Sequence, residues 1–118
     1  MKTLVIGASS NPERYSYLAI KSLQKHNHEV LAIGAQHEMV GDIVIEADKL
    51  PFPDIHTVSL YLNPMRQADY YNYIVDLRPQ RVIFNPGTEN PAFFAILDQA
   101  NIAYEAACTL VLLSTNQF

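Results

Sequence analysis

Five short apolar runs recur along the chain, at 3–6, 30–33, 58–62, 82–84 and 102–104, each near-continuous and rich in β-branched or aromatic residues. Continuous rather than alternating hydrophobicity marks strands covered on both faces, as in a parallel sheet. Between these runs the period becomes helical. Residues 16–25 place Ala19, Ile20 and Leu23 on one stripe, and 64–77 place Tyr70, Ile74 and Leu77 at i, i+4 and i+7. Asn90-Pro91 reads as an N-cap followed by proline at the first helical position, opening a third helix that carries Phe93, Phe94, Ile96 and Leu97. A short last helix is expected over 109–114. Only 35–56 breaks the rhythm. It holds Pro51, Pro53 and one short strand candidate, 43–46, and reads as an edge strand plus loops.

This alternation predicts an α/β fold: a doubly wound, mostly parallel, five-stranded Rossmann-like sheet with helices on both faces, in one domain spanning 1–118. A strand order of 3-2-1-4-5 reverses the winding beside the first strand. Ligands bind at such switch points, beyond the C-terminal strand ends. Four loops then border one crevice, at 7–15, 34–36, 63–64 and 85–90, each with Gly, Asn or Pro directly after an apolar strand.

Composition narrows the class. A chain of 118 residues with 49% hydrophobic and 17% charged content is long enough for one core and too short for two. No apolar run approaches the ~18 residues of a membrane span. The first residues read as a strand rather than a signal peptide, and the single cysteine, Cys108, excludes an internal disulfide framework and a multi-Cys zinc site. A reducing, cytoplasmic setting without membrane association is the expectation. The net charge of −4 argues against nucleic acid as a partner. The charge is uneven, however: residues 1–34 hold four basic side chains (Lys2, Arg14, Lys21, Lys25) against Glu13 and Glu29, and the remaining 84 residues hold four basic against ten acidic groups. An anionic small ligand is drawn to the first third.

The first loop, Gly7-Ala8-Ser9-Ser10-Asn11-Pro12-Glu13-Arg14-Tyr15-Ser16, suits phosphate. Gly7 permits a sharp turn and close backbone approach. Ser9, Ser10 and Asn11 add polar groups, the following helix aims its free N–H groups at the crevice, and Arg14 adds charge. Any βα turn also uses Gly, Ser and Asn for capping alone. The dinucleotide fingerprint G-x-G-x-x-G is absent, as is the G-K-[ST] of a P-loop. An NAD site also wants an acid at the end of the second strand, which here runs Ile33-Gly34-Ala35-Gln36-His37, with Glu38 coming late. NAD is therefore the second choice.

The opening Val5-Ile6-Gly7-Ala8-Ser9-Ser10-Asn11-Pro12-Glu13-Arg14-Tyr15-Ser16-Tyr17 resembles that of the CoA-binding domain proteins, small Rossmann-type domains related to the nucleotide-binding part of the succinyl-CoA synthetase alpha subunit. Tyr61-Leu62-Asn63-Pro64 resembles the family's turn after the third strand, Phe84-Asn85-Pro86-Gly87-Thr88-Glu89-Asn90 its Pro-Gly-acid turn, and Glu105-Ala106-Ala107-Cys108-Thr109-Leu110 its closing segment. The resemblance covers nearly the whole chain and implies CoA or an acyl-CoA as bound ligand. Loops and resemblance together assign ligand contacts to Gly7, Ala8, Ser9, Asn11, Arg14, Tyr15 and Ser16. Gly34, Asn63, Pro64, Asn85, Pro86, Gly87 and Cys108 complete the expected set. One departure stands out. The family commonly carries Asn-Pro-Lys after the second strand, near the adenosine end, and this chain has Gly34-Ala35-Gln36-His37, without a lysine contact to the ligand's phosphates.

No catalytic centre is evident. His26 and His28 suit the negative end of the first helix, His37 and His56 are lone loop residues, and the four show no metal-site spacing. Cys108 reads first as a packing residue, second as lining of the crevice, and third as a nucleophile beside a helix N-terminus. Glu89 is the best-placed acid, or a helix cap. The synthetase relatives use a phosphorylated histidine outside this domain, with no counterpart here. Three readings remain: a binding module for CoA or an acyl-CoA, an NAD(P)-dependent oxidoreductase or redox sensor, and an interaction protein with a vestigial nucleotide site. For the last, Tyr70, Tyr71 and Tyr73 offer a homodimer surface.

Overall fold

The computed structural model describes residues 1–118. Its centre is β1 (Thr3–Ala8), flanked in parallel by β2 (Val30–Gly34) and β5 (Thr57–Leu60). Beyond β5 lie β6 (Arg81–Phe84) and β7 (Ala103–Ala106), also parallel. Beyond β2 lie β4 (Ile43–Glu46), parallel, and β3 (Glu38–Val40), antiparallel, so the order is β3-β4-β2-β1-β5-β6-β7.

The sheet therefore has seven strands, not five. The five apolar runs become β1, β2, β5, β6 and β7, and the added pair comes from the segment that broke the rhythm. Gly41-Asp42 closes a two-residue hairpin with Gly41 at φ +59, pairing Val40 with Ile43 and Glu38 with Ile45. Glycine followed by a short polar residue is a hairpin signal in its own right. Its flanking strands of three and four residues are too short to show a period.

Alternation along the strands divides the core in two. Leu4 and Ile6 of β1 join Val58, Leu60, Val82 and Phe84 under α3 (Tyr71–Leu77) and α4 (Pro91–Gln99), which contribute Ile74, Phe93 and Leu97. Val5 and Ala8 face the other way, with Ala32, Val40 and Ile45, under α1 (Tyr15–Lys25) and α5 (Thr109–Ser114), which contribute Ile20, Leu23 and Leu113. Burying each such side chain stabilises the fold by about 1.5–3 kcal/mol. Phe84 packs edge-on against Phe93, Phe94 and Tyr104 at centroid distances of 5.7, 4.7 and 6.1 Å. No helix is long and apolar enough to cross a membrane.

The long helix expected over 64–77 is broken into α2 (Pro64–Gln67), a 3-10 turn at Ala68–Tyr70, and α3. Of the predicted stripe only Ile74 is fully buried. The tyrosines expected as a free surface are half-buried in the chain's own packing. Tyr71 stacks on Phe93 at 4.5 Å, Tyr73 donates its hydroxyl to the Leu50 carbonyl, and Lys49 lies 4.7 Å over the Tyr70 ring.

A buried polar lattice fixes the loops at the carboxyl ends of the strands. Asn85, directly after β6, donates from Nδ2 to Ser59 Oγ and the Leu60 carbonyl, both at 3.0 Å, and its Oδ1 accepts from the Thr109 amide at 2.8 Å. Fully buried Gln67 donates to the carbonyls of Leu62 and Thr88 and accepts from Asn90 Nδ2. Asn90 Oδ1 in turn caps α4 by accepting from the Phe93 amide, as the Asn-Pro pair predicts.

Two outcomes follow from this packing. Asn85→Ala leaves the buried Thr109 amide without a partner and removes the side-chain bonds to Ser59 Oγ and the Leu60 carbonyl, and should cost about 2–4 kcal/mol in urea unfolding. A loss below about 0.5 kcal/mol, the range of an ordinary surface change, would show that the lattice is not what holds these loops. His56, whose Nδ1 meets Thr57 Oγ1 at 2.8 Å, has its pKa pulled below the ordinary 6.5 of a histidine, first by burial and then by nearby Arg81. A depressed histidine leaves the folded state binding fewer protons than the unfolded one. Its share of stability is therefore complete above pH 6.5 and declines as pH falls toward the lower folded value. Melting temperature should drop between about pH 7 and 5, and drop less in His56→Asn.

Candidate functional site

The carboxyl ends of β1, β2 and β5 meet around a cleft of about 860 Å³, within the range of small-molecule sites. Two glycines make it. Gly7, at φ +89, forms a bulge between Ile6 and Ala8, and a Cβ there would stand 2.9 Å from the Tyr61 carbonyl carbon. A Cβ on Gly34 would stand 2.4 Å from the Ala8 carbonyl oxygen. Both positions exclude any side chain, so backbone forms the floor.

Of the residues assigned from sequence, Gly7, Ala8, Ser9, Arg14, Tyr15, Ser16, Gly34, Asn63 and Pro86 line this cleft. Asn85 and Cys108 line an adjoining recess of about 250 Å³, whose other walls, Tyr15, Tyr61 and Pro86, are shared with the cleft. Cys108 is half-buried there, immediately before α5.

Asn11, Pro64 and Gly87 lie outside both. Asn11 builds the loop itself: its Oδ1 accepts from the Glu13 amide at 3.0 Å, its carbonyl from the Arg14 amide, and its own amide donates to Ser9 Oγ. Pro64 occupies the first turn of α2, and the preceding Asn63 caps it by accepting from the Arg66 amide at 3.0 Å. Gly87, at φ +91, turns the chain in open space. Glu89, the acid singled out near the crevice, accepts from the Gly87 amide at 2.8 Å and lines neither space.

The electrostatics favour an anion in the middle of the cleft. α1 has no side-chain cap and no acid in its first turn, so its leading amides keep their partial positive charge. Arg14 at its start and Arg66 of α2 both line the cleft, and neither makes an ion pair. No three His, Cys, Asp or Glu side chains gather closely enough to hold a metal ion.

Ala35, Gln36 and Thr88 line the cleft from loops expected to border it, and Glu38, Tyr61, Leu62, Arg66, Asp69 and Tyr70 line it from outside those loops. Arg66 and Asp69 sit on a helix surface where charge is routine, and nothing in the sequence marks them. Tyr61 ends the run after β5; its hydroxyl is buried beside Ser59 and Thr109 without a hydrogen bond, and burial pushes its pKa up to about 12. Glu38 comes too late along the chain to be expected at the end of β2. The β3–β4 hairpin folds it back, and its Oε2 accepts from the Ser10 amide of the first loop at 3.2 Å.

Three comparisons bear on this arrangement. An uncharacterized protein of known structure superimposes with a TM-score of 0.96 at 43% identity, covering 99% of this chain and 97% of its own. Proteins from Thermus thermophilus and Pyrococcus horikoshii share the fold, each with a TM-score of 0.86, at 22% and 23% identity. They cover 99% and 98% of this chain, and 90% and 82% of their own. No significant match is found among curated proteins. The family model described as the CoA binding domain matches residues 1–114, a span that includes both lobes of the cleft, and the chain belongs to that family.

Proposed function

We propose that the chain is a binding module for CoA or an acyl-CoA, held at the carboxyl end of β1. The observation that carries this reading is the meeting of Arg14, Arg66 and the uncapped start of α1 over a cleft that continues into a narrower recess. A ligand with a nucleotide head, a diphosphate and a slender thiol-bearing arm has that shape. The diphosphate lies across the start of α1, and the arm runs past Tyr15 and Tyr61 toward Cys108.

One observation favours the alternative of an NAD-type nucleotide: the presence of Glu38 in the cleft. Against it, Ser9 and Pro12 stand where the dinucleotide fingerprint has its second and third glycines. NAD also has no arm for the recess.

Thermal denaturation separates the two. A ligand at ~100 times its dissociation constant adds about 2.7 kcal/mol to the folded state, which for a domain of this size raises the melting temperature by about 8–15 °C. CoA should produce such a rise and NAD or NADP little; an equal or larger rise with NAD overturns the CoA reading. Arg14 is exposed and unpaired, so Arg14→Ala should leave stability unchanged. It should weaken CoA binding by about 1.5–3 kcal/mol in calorimetry. Unchanged affinity would remove Arg14 from the site.

A further inference from the structure

We infer that Glu38 reads the ribose of the bound nucleotide and favours a ligand whose ribose carries free hydroxyls over one that carries a phosphate there. The inference rests on the reading above, that the cleft holds a CoA-type nucleotide with its diphosphate at α1.

Glu38 breaks the pattern of its own strand. It shares a face of β3 with Val40, which is buried in the core under α1, while Met39 between them points outward and is 51% exposed. A carboxylate at a core-facing register position is a local conflict, and such conflicts concentrate at functional sites. Here the carboxylate is aimed by one bond. Oε2 accepts the Ser10 amide, which ties the hairpin to the first loop, and Oε1 makes no hydrogen bond within the chain. Glu38 thus offers an acceptor to the cleft beside Gly34, Ala35 and Gln36.

Charge is ordered along the carboxyl edge of the sheet. On the β2 side the cleft has Glu38 and no lysine or arginine; both arginines, Arg14 and Arg66, belong to the loops after β1 and β5. The nearby ionisable pair does not supply a cation for a ligand, because His37 Nδ1 faces Glu46 Oε1 at 3.5 Å. In βαβ nucleotide sites with the diphosphate at the first helix, the ribose falls at the end of the second strand. A carboxylate there accepts hydrogen bonds from ribose hydroxyls and repels a phosphate ester at the same position. Among CoA-type ligands the 3′-dephospho form fits this end, and the 3′-phosphate of CoA itself faces Glu38 with no lysine or arginine supplied by β2, β3 or the loop between them.

Calorimetry with CoA and 3′-dephospho-CoA, each titrated into the full chain and into Glu38→Gln and Glu38→Lys, tests this directly. The native chain should bind dephospho-CoA at least about tenfold more tightly than CoA, since like charges in contact are costly. The ratio should fall toward one in Glu38→Gln and invert in Glu38→Lys. Because each ratio compares two ligands on one variant, a loop loosened by loss of the Ser10 bond shifts both affinities and not their quotient. Equal or tighter binding of CoA by the native chain overturns the role of Glu38 and leaves the CoA reading intact, as does a ratio unchanged in Glu38→Gln. Failure of both ligands to bind at millimolar concentration overturns the CoA reading and this inference with it.

Discussion

The carboxyl end of β1 passes between two backbones with no room for a side chain on either side. On one flank Gly34 lies against the Ala8 carbonyl, and on the other Gly7 lies against the peptide joining Tyr61 to Leu62. Close approach of three chains at one point is possible only without Cβ atoms. It is also what creates the site. The bulge at Gly7 shifts the register so that Ala8 still pairs with Gly34, and beyond it the first loop leads to the start of α1, where Arg14, Tyr15 and Ser16 line the cleft. Packing and binding therefore make the same demand of these two positions.

Below that crowding, the loops are held by polar side chains rather than by apolar ones. Asn85 ties β5, the end of β6 and the start of α5 through hydrogen bonds of 2.8–3.0 Å, and Gln67 ties the turn after β5 to the turn after β6. Loops that must leave a cleft open cannot bury enough apolar surface to fix themselves. Directional bonds to backbone carbonyls and amides position them without filling the space. The same logic explains why several polar residues that look like ligand contacts are turn-builders. Asn11, Asn63 and Glu89 each spend a side-chain oxygen on a backbone amide of their own loop.

Asymmetry of charge gives the site a direction. Arg14 stands after β1, Arg66 and Asp69 stand after β5, Glu38 stands beside β2, and a recess with Cys108 opens past Tyr61. An elongated anion bound here has one orientation that fits this arrangement. No lysine or arginine of the cleft stands at the end of β2; a carboxylate arrives there from β3 instead.

The alternation of strand and helix, the parallel sheet, the place of the first loop and the cap at Asn90-Pro91 are legible in the sequence alone. These properties depend on neighbours within one turn or one strand, and periodicity records them directly. Family resemblance was legible for the same reason, because its motifs are the turns that follow each strand. The two-residue hairpin at Gly41-Asp42 was present as a signal, but strands of three and four residues carry too little period to register. Which side chains of each loop face the cleft is set by packing in three dimensions. That depends on hydrogen bonds between loops far apart in the chain, as between Ser10 and Glu38 or Asn85 and Thr109. Glu38 shows the difference most plainly: counted along the chain it is too late to serve the end of β2, and the hairpin returns it to that end in space.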